Sequence, residues 1–102
     1  MAWHRVAELS AIEEENVIGV EVAGRNVALY RVAGKVYATD NICTHAYALL
    51  SDGYVEDGCI ECPLHQGRFE ISTGKGQGAP ITKDLETFPV KEEEGWALVD
   101  IA

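Results

Sequence analysis

The sequence predicts an all-β fold of antiparallel strands, on three observations. Short stretches rich in β-branched and apolar residues recur along the chain. Tight glycine turns separate them at regular spacing, at Ala23-Gly24, Ala33-Gly34, Asp57-Gly58 and Glu93 to Gly95. No segment of useful length carries a helical period, and there is no internal repeat. With 102 residues, 47% of them hydrophobic, the chain has the size and composition of one globular domain with a modest core.

Residues 3–9 read as a first strand, apolar at Trp3 and then irregular. Residues 11–16 carry Glu13, Glu14 and Glu15 and are expected to form a solvated acidic turn. Residues 17–22 alternate imperfectly as a strand; 26–32 and 35–39 follow, each after a glycine turn, which together predict a meander. The pattern stops at Asp40-Asn41. Residues 46–50 are the one short stretch expected to turn helically, and Ser51-Asp52-Gly53 is a turn. Residues 54–56 and 59–61 flank Asp57-Gly58, a strong hairpin signal. Residues 67–71 form the next strand. Residues 72–80 are a glycine-rich loop that is no phosphate loop, since neither a Lys-Ser/Thr pair nor a helix pattern follows. Residues 87–92 and 96–101 make a closing hairpin. In its last strand Trp96, Leu98 and Asp100 share one face and Ala97, Val99 and Ile101 the other; alternation alone does not say which points inward.

Two short segments carry the chemistry: Cys43-Thr44-His45 and Cys62-Pro63-Leu64-His65. Each offers one thiolate and one imidazole, and sixteen residues (46–61) separate His45 from Cys62. The hairpin around Asp57-Gly58 lies in that interval and would bring the second segment back against the first. Two Cys and two His suit zinc or an iron–sulfur cluster, not calcium or magnesium. A zinc finger usually groups Cys with Cys and His with His. One of each per segment fits two bridged irons instead, one bound by both thiolates and the other by both imidazoles. A structural zinc site of type Cys2His2 is the alternative reading, and would make the chain an interaction module without redox role.

Other residues add exclusions. The net charge is −9, from 17 acids against 8 bases, which repels phosphate backbones and argues against nucleic-acid binding. No run approaches a membrane span, and the start has no apolar core of signal-peptide length. A cytoplasmic protein without membrane attachment is expected, its three cysteines being ligands or free thiols rather than a disulfide framework. Cys59 with Cys62 spells C-x-x-C, but no helix pattern follows, and on a strand the two would point to opposite faces. Cys59 is expected to be a small buried apolar residue, and His4 to decorate the surface. No nucleophile–base pair can be read, so a stand-alone enzyme is not expected.

The boxes Cys43-Thr44-His45 and Cys62-Pro63-Leu64-His65-Gln66-Gly67 resemble those of the Rieske [2Fe–2S] family. The resemblance covers nearly the whole chain. It implies one Rieske domain over 1–102: an antiparallel β-sandwich or barrel with a small cluster-binding subdomain at about 41–82. It implies one [2Fe–2S] cluster held by Cys43, His45, Cys62 and His65, with the histidines at an exposed tip. Gly76 to Pro80 stands where the family has a proline loop covering the cluster. Tyr47, Leu64, Gln66 and Pro80 are expected to rim it.

Respiratory members have an extra cysteine in each box, joined as a disulfide; the corresponding positions here are Ala48 and Leu64, so no such bridge forms. Their Ser and Tyr, whose hydroxyls donate to the cluster and to a ligand sulfur, correspond to Gly67 and Phe69. Hydroxyl donors stabilise the reduced cluster, so a potential near the low end of the Rieske range, about −150 mV, is expected. These features, with Ser51-Asp52-Gly53-Tyr54-Val55 and Glu61 through Phe69, look like the ferredoxin component of bacterial aromatic-ring-hydroxylating dioxygenases. The resemblance then implies a one-electron carrier. Its partners would be an NAD(P)H-dependent flavoprotein ferredoxin reductase and a terminal oxygenase, and a shuttling monomer is expected.

Overall fold

The computed structural model describes residues 2–44, 47–64, 66–79 and 81–101. Among these residues ten strands form three antiparallel sheets. The first sheet joins the two ends of the chain: β1 (Trp3–Glu8) pairs with β10 (Trp96–Asp100), which pairs with β9 (Val90–Glu93). The second has the order β2 (Asn16–Val22), β3 (Arg25–Val32), β4 (Lys35–Asp40), β8 (Thr87–Phe88). The third is a small meander of β5 (Tyr54–Glu56), β6 (Cys59–Glu61) and β7 (Arg68–Glu70). Among the described residues the only helical pieces are two three-residue 3-10 turns, Leu9–Ala11 and Leu50–Asp52.

The four predicted glycine turns are all present. Ala23, Ala33, Asp57 and Glu94 have φ of 51°, 52°, 53° and 52°, and the following glycines 80°, 78°, 74° and 84°. Two successive positive φ values are those of a type I′ turn, whose twist matches that of the flanking strands. Glycine takes the second position without cost; the residue before it tolerates a mild penalty.

β3 explains how the sheets stack. Its run Val27-Ala28-Leu29-Tyr30 is wholly buried, and the two-residue period sends alternate side chains to opposite sides. Val27 and Leu29 join Ile12, Val22, Val36, Ala38, Phe88, Ala97, Val99 and Ile101 in one core, between the first two sheets. Ala28 and Tyr30 join Cys43, Leu50, Ile60, Cys62, Phe69, Ile71, Ile81 and Leu85 in another, between the second sheet and the small meander. The inward face of β10 is therefore Ala97, Val99 and Ile101. Buried Tyr30 is hydrogen-bonded: its hydroxyl lies 2.8 Å from Thr39 Oγ1, which donates onward to Asp40 O at 2.8 Å.

Four expectations change. Residues 87–92 are not one strand, because Pro89 has no N–H for a ladder. β8 stays with β4 on one side of Pro89, and β9 crosses to β10 on the other. The 11–16 turn is not simply solvated. Ile12 is 2% exposed, Arg31 donates to the Leu9 and Ile12 carbonyls at 2.7 and 2.6 Å, and the Glu14 carboxylate accepts the Ala33 and Gly34 N–H groups at 2.7 and 2.8 Å. The helical turn comes at Leu50–Asp52 rather than 46–50, and Ala46 lies outside the described residues. His4 is half-buried, with Nε2 3.1 Å from Ile101 O, so it joins the chain ends instead of decorating the surface.

Candidate metal centre

Cys43 and Cys62 open two loops of matching construction. The first grows from the end of β4 as a small ladder. Leu50 N–H donates to Asn41 O at 2.7 Å, Ile42 bridges Leu49, and Cys43 N–H donates to Ala48 O at 2.9 Å. The second connects β6 to β7: Glu61 pairs with Arg68, and Cys62 N–H donates to Gly67 O at 2.7 Å. In each, the cysteine amide reaches five residues ahead, and the predicted histidine falls inside the closed loop. His45 and His65 themselves lie outside the described residues.

The two thiols are neighbours in the inner core, 5% and 1% exposed, and neither is in a disulfide. Burial pushes the Cys62 thiol up to about 11; the Leu64 N–H opposes this, and nearby Cys43 adds to it. Cys62 then stays protonated near neutrality unless a positive charge arrives. A metal centre supplies that charge and deprotonates its thiol ligands. Among the described residues no group of three or more Cys, His, Asp or Glu comes together, and the described part of the predicted ligand set is this pair. Two buried, adjacent, reduced thiols, with an imidazole due from each loop, fit a mixed Cys/His cluster by donor chemistry.

The glycine-rich segment lies against β7, the strand that leaves the second loop, and the chain just after it reaches the first loop. Gly76 bridges Phe69, Gln77 N–H donates to Arg68 O at 2.9 Å, and Thr44 Oγ1 donates to Lys83 O at 2.6 Å. Pro80 lies outside the described residues. Phe69 is wholly buried beside the cysteines and, like Gly67, brings no hydroxyl. Cys59 sits half-buried on the outer face of the small meander, level with Glu56 and Glu70, not in the core as expected. Every large hydrophobic residue exposed among the described ones falls between 42 and 64: Ile42, Tyr47, Tyr54 and Leu64. Sequence reasoning missed the role of Asn41, read there only as the point where the strand pattern stops; a polar residue's burial shows only once its partners are in place.

A family model described as the Rieske [2Fe-2S] domain matches residues 2–89. The chain belongs to the Rieske [2Fe–2S] family. The naphthalene 1,2-dioxygenase system ferredoxin component of Pseudomonas putida is 51% identical over 100 residues, covering 98% of this chain and 96% of its own. Among solved structures, Sphingomonas yanoikuyae B1 ferredoxin aligns with a TM-score of 0.94 at 35% identity, over 99% of this chain and 100% of that one. The ferredoxin in a complex of reduced oxygenase and oxidised ferredoxin, from carbazole 1,9a-dioxygenase, aligns at 0.89 and 37% identity, covering 95% and 91%. This Rieske protein is thus a ferredoxin with a [2Fe–2S] cluster, an electron carrier rather than a catalyst. Among the described residues no helix is long and apolar enough to cross a membrane.

Proposed function

We propose that this Rieske ferredoxin passes single electrons from an NAD(P)H-dependent flavoprotein reductase to the terminal oxygenase of an aromatic-ring dioxygenase system. The observation that carries this reading is the pair of matched cysteine loops, set in a chain alignable end to end with ferredoxin components of such systems. Cys43 and Cys62 hold one iron, His45 and His65 the other. The cluster, when bound, would supply a one-electron couple, its two imidazole ligands raising the potential above that of an all-cysteine cluster. The chain holds this couple in a fixed place: residues 1–102 act as one domain, with about 41–82 as the cluster-binding part. The inner core keeps water from the thiolate side.

Both partners meet the tip, where Ile42, Tyr47 and Leu64 offer 38%, 92% and 45% of their surface. An apolar contact rimmed by polar residues suits a carrier that must bind and leave quickly. The protein works as a monomer in the cytoplasm, since a second copy over this tip would block both partners. The test is a reconstituted assay with reductase, oxygenase and an aromatic substrate. Oxygenation driven by NAD(P)H should require this protein. Leu64→Glu should lower kcat/KM for the ferredoxin about tenfold, the loss of roughly 1.4 kcal/mol of contact, and leave the reduced cluster's spectrum unchanged. Full oxygenation without the protein would defeat the proposal.

A further inference from the structure

Asn41 is 1% exposed, and its side chain has a partner for every hydrogen and acceptor it offers to the fold. Nδ2 donates to Asn26 Oδ1 and to Ser51 Oγ, both at 2.9 Å. Oδ1 accepts the Ser51 N–H at 2.8 Å. The main chain continues the pattern: Asn41 N–H donates to Asn26 O at 3.0 Å, and Asn41 O accepts from Leu50 N–H at 2.7 Å. One residue thus ties the end of β4 to the start of β3 and to the 3-10 turn behind the first ligand loop. It stands on the lowest rung of the ladder that ends at Cys43. The packing around it is closed. A Cβ on Gly19, in β2, would lie 2.9 Å from both Asn41 Nδ2 and Ser51 Oγ, so glycine leaves the room these bonds use.

We infer that Asn41 is a positioning residue for the cluster. Through Ser51 and Asn26 it holds the ladder beneath Cys43 in place, and so governs how firmly the first Cys/His box keeps its share of the cluster, one ligand to each iron. This rests on the assignment of Cys43 and His45 as ligands. Three physical points carry it. A buried amide with all partners satisfied is rigid, and removing it strands its partners. Both feet of the loop, Asn41 and Leu50–Ser51, are pinned by the same side chain and its own main chain. Just beyond Cys43 the chain is tied again, from Thr44 to Lys83. Groups that orient ligands without touching the metal commonly change retention 10–100-fold when removed.

The experiment uses the holoprotein and follows cluster loss to an iron chelator by visible absorbance, with the electron paramagnetic resonance spectrum and the midpoint potential recorded alongside. Asn41→Ala is compared with Leu29→Ala, a truncation in the other core that lowers stability without touching the loop. Asn41→Ala should lose the cluster roughly tenfold or more faster than Leu29→Ala and shift the g values of the reduced form. Ser51→Ala, which removes one acceptor, should move both readouts the same way by less, and serves if Asn41→Ala does not fold. Loss rates and g values in Asn41→Ala or Ser51→Ala equal to those of Leu29→Ala would reduce Asn41 to a merely structural role and overturn the inference. A wild-type spectrum without mixed Cys/His character would instead remove the ligand assignment itself.

Discussion

Truncating Leu29 and Ile60 separates the two cores by their consequences. Both side chains are wholly buried, one in each core. Replacing either by alanine removes about three methyl or methylene groups and leaves a cavity, at a cost of about 2–5 kcal/mol. Against a total of about 5–15 kcal/mol for a domain of this size, that is a large share. At roughly 4–8 °C per kcal/mol near this length, a loss of about 3 kcal/mol lowers the melting midpoint by about 12–24 °C. The two variants should therefore look alike in thermal or denaturant unfolding. They should differ in cluster retention. Ile60 sits in the inner row Val55–Ile60–Phe69 of the small meander, two residues before Cys62. If half of its lost energy appears as local opening, about 1.4 kcal/mol, cluster loss to a chelator speeds up about tenfold. Leu29 faces the sheet that joins the chain ends, so its truncation should leave that rate near wild type at temperatures well below melting. Equal acceleration in both variants would refute the division into two cores and make the protein one cooperative body.

Two further outcomes follow from the same packing. Burial raises the Tyr30 hydroxyl well above its usual value of 10.0, and the hydrogen bond with Thr39 opposes part of the rise. The folded state then keeps a proton that the unfolded chain releases, so this contribution to stability is present below about pH 10 and is lost as pH climbs through the folded value. Denaturation midpoints measured from pH 8 to 11.5 should fall more steeply for wild type than for Tyr30→Phe, which should also be about 1 kcal/mol less stable at pH 8. Parallel curves would contradict this. Phe69→Tyr places a hydroxyl in the inner core beside the cysteines; a bond worth about 1–2 kcal/mol more to the reduced centre raises the midpoint potential by about 45–90 mV. A potentiometric titration showing no rise, or a wild-type value above roughly +100 mV, would contradict the link between missing hydroxyls and low potential.

Much of this fold is legible because its signals are local. Asp57-Gly58 and its three counterparts state where strands reverse, and strand ends fall within a residue or two of them. The ligand boxes are legible for the same reason, since each is a run of a few residues. What escaped reading is non-local. Nothing in Trp3 or Asp100 announces that the two ends pair. Pro89 has apolar neighbours on both sides, so the sheet switch there hides within one apolar stretch. Ile12 stands beside three glutamates that suggest solvent, yet its own side chain fills the first core. Asn41 resembles any polar residue at a strand end until Asn26 and Ser51, fifteen and ten positions away, close around it.

The central claim is a [2Fe–2S] centre held by two thiolates and two imidazoles, and the electron paramagnetic resonance spectrum of the dithionite-reduced protein tests it most directly. Ligation by Cys43, Cys62, His45 and His65 predicts a rhombic signal whose average g lies clearly below that of all-cysteine clusters. An average g matching all-cysteine ferredoxins would contradict the histidine ligands. A silent, colourless protein containing one zinc would contradict the electron-carrier function altogether.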